Sequence, residues 1–170
     1  MKILLTGAAG FVGSHALKYL LTETDADVVC LVSFEHSGVS ARIRQIASDY
    51  DAVANQYEQD ISDRVKLIRH DLRSPIDPIT AAQIGDIDVI WNIASESHVD
   101  RSISDPRSFF LNNTELILTM LDYARVAKPK LFLQMSTDEV YGPAPIGHNH
   151  IEWETPLPSN PYSASKQAQE

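Results

Sequence analysis

Five short, mostly apolar runs recur along the chain, separated by longer polar or mixed stretches. Runs of about four to eight such residues predict β-strands, and a strand buried on both faces shows little polar alternation. The predicted strands are KILLT (2–6), DVVCLVSF (27–34), VKLIRH (65–70), IDVIWNIA (87–94) and KLFLQMS (130–136).

Apolar positions at helical spacing lie between these strands. They predict helices after Gly7, over PITAAQI, from Asp105-Pro106 to about residue 127 and from NPYSASKQAQE onward, while residues 37–60 read as a helix with an irregular excursion. Strands that alternate with helices predict an α/β fold, a Rossmann-type doubly wound parallel sheet. In such sheets ligands bind at the carboxyl ends of the strands, where this chain places glycines, hydroxyls and carboxylates.

The composition is that of one globular domain. The chain has 170 residues, 44% of them hydrophobic, and its net charge of -9 argues against a nucleic-acid binder. No apolar run is long enough to span a membrane, and the single cysteine, Cys30, is expected to be a buried thiol in a reducing, cytoplasmic setting. Because the chain stops at Glu170 inside a predicted helix, we expect residues 1–170 to be the N-terminal part of a longer protein.

Gly7, Gly10 and Gly13 directly follow the first predicted strand and open the first helix, in TGAAGFVGS. Glycine lets the backbone approach a pyrophosphate, and a helix N-terminus offers N–H groups and positive potential. The spacing is G-x-x-G-x-x-G, and the alternative is a tight structural turn. Between a strand and a helix, the pattern favours a dinucleotide site.

A carboxylate at the end of the second strand normally binds the adenosine ribose, but Val32 stands there in this chain. Ser33 or Glu35 could bind the ribose instead, and Arg42 and Arg44 could bind the 2′-phosphate of NADP. NAD is the expected cofactor, and NADP stays open.

Tyr162 and Lys166 are spaced i, i+4 in PYSASK, which places both on one face of a helix. A nearby ammonium stabilises a phenolate and lowers the pKa of tyrosine, which would make Tyr162 a base near neutral pH. This spacing alone is a weak signal, and a surface pair is the alternative. Beside the glycine turn it becomes strong.

Thr137, Asp138 and Glu139 follow the fifth predicted strand in QMSTDEVYG. Two adjacent carboxylates belong either to a solvated turn or to a site that divides acid and base work between them.

The chain resembles the extended short-chain dehydrogenase/reductase family. Its stretches ASESHVDRSISDP, STDEVYG and PSNPYSASK resemble the nucleotide-sugar 4,6-dehydratases of that family, and TDE is the most specific part. The likeness covers nearly the whole chain, and it implies that residues 1–170 are an NAD(P)-binding domain that the family's C-terminal substrate domain would follow. It departs from the family at Val32, where aspartate is usual, at Asn112, where threonine is usual, and in a longer link between the second and third strands.

The resemblance implies roles for the matching residues. Thr137 would hydrogen-bond the sugar's 4-oxygen, Asp138 would be the acid and Glu139 the base of dehydration, and Tyr162 with Lys166 would be the redox pair. Ser97 and Thr137 would contact the substrate. With the positions discussed above, the candidate cofactor residues are Gly7, Gly10, Phe11, Val12, Gly13, Val32, Ser33, Glu35, Asp71, Leu72, Ile93, Ala94, Ser95, Ser97, Asn112, Tyr162 and Lys166.

The implied reaction converts an NDP-hexose, with dTDP-glucose expected, to its 4-keto-6-deoxy product. Oxidation at C4, loss of water across C5–C6 and return of the hydride to C6 would make the protein an NAD-dependent hydro-lyase. The resemblance also implies a homodimer formed through the helix at 105–127 and the helix begun near 160. The alternatives are a nucleotide-sugar epimerase or decarboxylase of the same family, and a non-catalytic dinucleotide-binding module.

His148 and His150 lie in GHNH, within a stretch rich in glycine and proline. Two histidines in such a stretch are more often loop residues than metal ligands. The sequence therefore predicts no metal site.

Overall fold

The computed structural model describes residues 1–33, 42–43, 45–46 and 64–170. The chain divides into two compact units. The first comprises Met1–Ala94 and Thr119–Leu133, and the second comprises Ser95–Leu118 and Gln134–Glu170. Each unit carries part of the predicted chemistry, and each is described by itself below.

A parallel sheet organises the first unit. Its strands are β1 (Lys2–Thr6), β2 (Asp27–Val32), β3 (Val65–Arg69), β4 (Val89–Asn92) and β5 (Leu131–Gln134), in the order β3-β2-β1-β4-β5. The pairs β1–β2, β2–β3 and β1–β4 are all parallel. The chain order reverses between β1 and β4, which is where doubly wound sheets bind ligands. The predicted fold class is confirmed.

The centre of this sheet is buried on both faces, which explains the continuous apolar sequence of β1 and β2. Leu4, Leu5, Val28 and Val29 are at most 1% exposed. Cys30 is buried among them as predicted, and burial raises the pKa of its thiol to about 12. This thiol therefore stays protonated at physiological pH.

The helices whose bounds lie within the described residues are α1 (Phe11–Glu23), α2 (Pro78–Ile84), α3 (Val99–Ser104), α4 (Pro106–Ala127) and α5 (Pro161–Gln167), and a 3-10 turn covers Asp138–Tyr141. The sequence predicted all of these helices except α3, whose six residues are too few to show a periodicity. α5 ends at Gln167, short of the helix predicted to the end of the chain. The helix predicted within residues 37–60 lies almost wholly outside the described residues.

Four of the five strands, β2 to β5, are shorter than predicted. β4 ends at Asn92 because the backbone N–H groups of Ile93 and Ala94 both donate to Oγ1 of Thr6, at 3.0 Å each, and so leave the strand ladder. β2 ends at Val32, and Phe34, the last residue of the predicted strand, lies outside the described residues. Side-chain hydrogen bonds of this kind are invisible to an apolar pattern.

None of the helices in the described part of the chain combines the length and the apolar character that a membrane crossing requires.

Candidate active site

The turn from Gly7 to Gly13 leaves no room for a side chain at its first and last glycines. Gly7 has a φ of +73°, and a Cβ added there would lie 2.9 Å from the backbone nitrogen of Ala94. A Cβ on Gly13 would lie 2.1 Å from the carbonyl oxygen of Gly7. Gly10 precedes α1 without a side-chain cap, so the first-turn N–H groups of this helix can bind an anion.

Thr6 and Asn92 hold this turn against the end of β4. Thr6 is fully buried, and its hydroxyl donates to Oδ1 of Asn92 at 2.6 Å while it accepts the two N–H groups that follow β4. The sequence analysis missed both residues. Their signal was a polar side chain inside an apolar strand, where a hydrogen-bond partner is obligatory.

The end of β2 presents no carboxylate in the part of the chain that the structure describes. Val32 is 3% exposed, Ser33 is half-buried, and Glu35 and Arg44 lie outside the described residues. Nη1 of Arg42 donates to the carbonyl oxygen of Ala9, at 3.2 Å, within the glycine turn. Part of the hydrogen-bonding capacity of this guanidinium is therefore used inside the protein.

Asp71 follows β3 and pairs with its neighbour Arg73. Nε and Nη2 of Arg73 lie 2.9 Å and 2.5 Å from Oδ2 of Asp71, and these hydrogen bonds hold the pKa of Asp71 below its usual value. Leu72, between them, is buried. The predicted cofactor roles of Asp71 and Leu72 stay predictions.

The remaining candidate cofactor residues fall in both units. Phe11 and Val12 are exposed at the start of α1, and Ile93 and Ala94 directly follow β4. In the second unit, Ser95 is half-buried, Ser97 is exposed and Asn112 donates from Nδ2 to Oδ1 of Asn113, at 3.3 Å. Their roles also stay predictions.

The predicted carboxylate pair lies in a 3-10 turn of the second unit. Oγ1 of Thr137 accepts the N–H of Glu139 at 3.3 Å and so caps the turn. Val140 anchors the turn, since it is 1% exposed and its carbonyl accepts the N–H of Leu157 at 2.9 Å. Asp138 is exposed and Glu139 is half-buried. The two carboxyls thus have different surroundings, as separate acid and base roles require.

Tyr162, near the start of α5, belongs to the same cluster. Its backbone N–H donates to Oγ of Ser102, at 3.1 Å. Burial raises the pKa of Tyr162, a hydrogen bond with Thr137 opposes this, and the charges of Glu139 and Asp138 raise the pKa further. The structure therefore brings together four of the five predicted catalytic side chains.

Lys166, the fifth, is held by other groups. It is 2% exposed, and its Nζ donates to the carbonyl oxygen of Met135 at 2.5 Å and to Oε1 of Gln169 at 2.7 Å. Burial lowers the pKa of Lys166 to about 8. The prediction that Lys166 lowers the pKa of Tyr162 is wrong in this structure, because the ammonium is bound to these two acceptors and the pKa of Tyr162 is raised.

Asn160 connects the carboxylate turn to α5, and the sequence analysis missed it. Its Oδ1 accepts the N–H of Ser163 at 2.8 Å and caps the helix, while its Nδ2 donates to Oε2 of Glu139 at 2.9 Å. One side chain thus starts the helix that carries Tyr162 and orients Glu139. Asn-Pro before a helix does signal a cap, but the pattern cannot show which carboxylate the amide contacts.

A buried polar network centred on Asn113 supports this cluster. Asn113 is fully buried, and its side chain bonds the backbone N–H and C=O of Glu96, at 2.8 Å and 3.0 Å, and Oγ of Ser165, at 2.8 Å. Nε2 of Gln169 donates to the carbonyl of Asn113 at 2.8 Å, and Oε1 of Gln169 accepts from Lys166. A fully paired network of this kind fixes its members in place. Single polar residues on a helix face gave the sequence no signal for it.

An open, largely apolar pocket of about 510 Å³ lies between α4 and α5 in the second unit. The lining residues are Pro106, Arg107, Phe110, Leu111, Pro161 and Ala164. None of them is a predicted catalytic residue. These are the two helices for which the resemblance implied a dimer contact, and the homodimer stays a prediction.

A family model described as the NAD dependent epimerase/dehydratase family matches residues 3–170. The low-salt glycan biosynthesis protein Agl12 of Haloferax volcanii is 40% identical over 168 residues, which cover 98% of this chain and 48% of the relative. The dTDP-glucose 4,6-dehydratase of Shigella flexneri is 34% identical over 186 residues, which cover 98% of this chain and 47% of the relative. The chain thus spans about half the length of these curated relatives.

The fold comparison agrees with the sequence comparison. The crystal structure of DesIV, a dTDP-glucose 4,6-dehydratase from Streptomyces venezuelae with NAD bound, matches with a TM-score of 0.82 at 32% identity, over 99% of this chain and 49% of that chain. Together with the family match, it confirms the resemblance inferred from the glycine turn, TDE and the Tyr–Lys spacing. The chain belongs to the NAD-dependent epimerase/dehydratase family of extended short-chain dehydrogenases/reductases.

Proposed function

We propose that this chain is the cofactor-binding and acid–base part of an NAD-dependent nucleotide-sugar 4,6-dehydratase, with dTDP-glucose as the first substrate to test. The observation that carries the proposal is the cluster of Thr137, Asp138, Glu139 and Tyr162 in one unit, in which Asn160 orients Glu139. Two relatives named above are dTDP-glucose 4,6-dehydratases, which supports the choice of substrate.

The glycine turn fits NAD. The backbone packs closely at Gly7 and Gly13, which fixes the shape of the turn, and the adjoining start of α1 has no side-chain cap, so its first-turn N–H groups can bind a pyrophosphate. Val32 and Ser33 offer no carboxylate to the ribose, which makes this part of the site different from the family's usual aspartate. Bound NAD would supply the hydride acceptor for oxidation at C4 and, once reduced, the hydride donor for C6.

Tyr162 would begin the reaction by removing the proton of the C4 hydroxyl, with Thr137 hydrogen-bonded to the same oxygen. Since burial and the two carboxylates raise the pKa of Tyr162, its phenolate needs a compensating positive charge. Lys166, on the next turn of α5, is the candidate for this charge, and to supply it the ammonium would have to leave its acceptors on Met135 and Gln169. With a pKa of about 8, its ammonium is mostly charged at neutral pH.

Glu139 and Asp138 would then eliminate water. The C5 proton becomes acidic once C4 is a ketone, and Glu139 removes it while Asp138 protonates the departing C6 hydroxyl. Glu139 would return this proton to C5 when the hydride adds to C6. Asn160 holds one oxygen of Glu139 and leaves the other for the proton. General acid–base catalysis contributes about 10²–10⁴-fold per group, so the elimination depends on both carboxyls.

An epimerase of the same family is the alternative, since the family description includes that activity. It would use Tyr162 and Lys166 to oxidise and reduce the same carbon. Such a reaction eliminates no water, so it would not need the acid–base pair Asp138 and Glu139. A non-catalytic module would bind NAD without turnover.

Mass spectrometry of reaction products tests the proposal. The protein encoded by the complete gene would be incubated with NAD and a panel of nucleotide-glucose donors, beside its Glu139→Gln variant. We expect a product lighter than its donor by one water, formed by the unaltered protein and strongly reduced in the variant. Unchanged mass in a protein that binds NAD would overturn the dehydratase assignment.

A further inference from the structure

Three metal-ligating side chains converge in the second unit, on the segment that joins the carboxylate turn to α5. Oε2 of Glu154 lies 3.1 Å from Nε2 of His148 and 2.5 Å from Nδ1 of His150. The ligand atoms of all three residues lie within 4.8 Å of one another. Within the described ranges, this is the one group of three or more histidine, cysteine and acidic side chains with that property.

Each of the three ligands has further contacts that hold its position. Glu154 closes a turn on Ile151, in which its N–H donates to the carbonyl of Ile151 at 3.1 Å and its Oε1 accepts the N–H of Ile151 at 3.3 Å. The ring of His150 stacks on Tyr141, with centroids 5.3 Å apart and an interplanar angle of 16°. The N–H of His148 donates to the carbonyl of Pro145 at 3.0 Å. The donor atoms therefore meet because backbone turns and a ring contact place them there.

Two imidazole nitrogens and one carboxylate oxygen are a ligand set that suits Zn²⁺, with water as the fourth ligand. In a tetrahedral site with metal–ligand bonds of about 2.0–2.1 Å, the ligand atoms lie roughly 3.3 Å from one another. The observed separations differ from that value by amounts that side-chain rotation can accommodate. A cation would also neutralise the Glu154 carboxylate, which faces both rings.

We propose that His148, His150 and Glu154 form a binding site for a divalent transition metal of the zinc class. The ion would tie Tyr141, at the end of the carboxylate turn, to the segment that leads to Asn160 and α5. Its role is to stabilise this connection, since no nucleophile or acid–base group of the carboxylate cluster is among its ligands. The proposal stands apart from the dehydratase assignment, because the site uses none of the residues assigned to that reaction.

Calorimetric titration with ZnCl₂ tests the proposal directly. The chain would carry no histidine tag and would first be treated with a chelator and dialysed. We expect saturable binding of one ion per chain, weakened at least about tenfold by the double change His148→Ala and His150→Ala and by Glu154→Gln alone. His15→Ala, which removes an exposed imidazole of α1, should bind as the unaltered chain does.

Zinc binding by the Cys30 thiol should not interfere with this measurement, because the thiol is buried and protonated. Absence of saturable binding, or equal affinity in the unaltered chain and the double variant, would show that the three side chains form a hydrogen-bonded cluster only. His148→Ala alone guards against misfolding of the double variant, because His148 is half-exposed and its ring lies outside the core. Equal affinity in that single variant would also contradict the proposal.

Thermal unfolding gives a second, independent result. A ligand that binds only the folded state raises the melting temperature of the protein. Near saturation, the rise is proportional to the logarithm of the ligand concentration. We expect Zn²⁺ to raise the melting temperature of the unaltered chain and of His15→Ala and to leave Glu154→Gln nearly unchanged. An equal rise in all three proteins would mean that zinc binds elsewhere.

Discussion

The two units form their candidate sites from different kinds of groups, backbone atoms in the first unit and side chains in the second. In the first unit, the glycine turn offers the backbone N–H groups at the start of α1, and its first and last glycines have no room for a side chain. In the second unit, the cluster around Tyr162 and Glu139 consists of side chains that are held by other polar side chains, Asn160 above all. A pyrophosphate needs only space and N–H groups, whereas a reaction needs carboxyls and hydroxyls at fixed positions. We therefore expect substitutions in the first site to act through a steric clash that disturbs the backbone. Substitutions in the second site should lower activity and leave the fold intact.

The largest effect should come from the carboxylates of the second unit. Glu139→Gln and Asp138→Asn should each reduce water elimination about 10²–10⁴-fold, because each removes one proton-transfer group. Both variants should retain NAD affinity and melting temperature, which calorimetry and thermal unfolding would report. Glu152→Gln removes an exposed carboxylate of the same unit and serves as the control. Full elimination activity in Glu139→Gln would show that the Glu139 carboxylate takes no part in the elimination, and would contradict the interpretation of the second site.

Gly13→Ala should break the first site. The new Cβ would meet the carbonyl oxygen of Gly7 at 2.1 Å and its carbonyl carbon at 2.5 Å, so backbone must move. We expect a loss of about 3 kcal/mol in the free energy of unfolding, together with loss of NAD binding. Gly10→Ala is the matched control, since its Cβ would lie 3.2 Å from the same oxygen and its φ of -78° suits alanine. If urea unfolding gave the two variants equal stability, the predicted clash between a side chain at position 13 and the backbone of Gly7 would be contradicted.

Asn160→Ser separates positioning from folding within the second unit. Serine keeps an N-cap oxygen for α5 but cannot reach Glu139 as the amide does. We expect nearly unchanged stability and a turnover rate about tenfold lower, because Glu139 loses the contact that orients it. Turnover and melting temperature, measured on the same preparation, give both quantities. Unchanged turnover would show that Glu139 is oriented by other contacts.

The sequence predicted the first site better than the second for a physical reason. Glycine spacing between a strand and a helix reflects local backbone geometry, so Gly7, Gly10 and Gly13 could be identified from their order alone. TDE and Tyr162 could also be found, since each is a compact motif. Asn113 and Asn160 could not, because their partners are set by tertiary packing. The same reason explains why Lys166 was paired with Tyr162 in prediction and bonds Met135 and Gln169 in the structure.

The smallest effect concerns Lys166 and pH. Its folded pKa of about 8 lies below its ordinary value of 10.5, so between these values the unfolded chain binds a proton that the folded chain has lost. The free energy of unfolding should therefore rise with pH above about 8, by about 1 kcal/mol up to about pH 9. Urea unfolding at several pH values should show this rise in the unaltered chain and not in Lys166→Met. Above about pH 9 the raised pKa of Cys30 acts in the opposite direction. The same slope in both proteins would mean that burial does not perturb Lys166.

The most direct test of the proposed dehydratase reaction traces the hydrogen atom that starts at C4 of the sugar. The complete protein, with NAD, would be given dTDP-glucose that carries deuterium at C4, and the product would be analysed by mass spectrometry and NMR. The account predicts a product that has lost one water and carries the deuterium at C6, because the hydride removed from C4 returns there after Asp138 and Glu139 have eliminated water. Deuterium found at C4 of a sugar that keeps its C6 hydroxyl but has the opposite configuration at C4 would contradict the account and identify an epimerase.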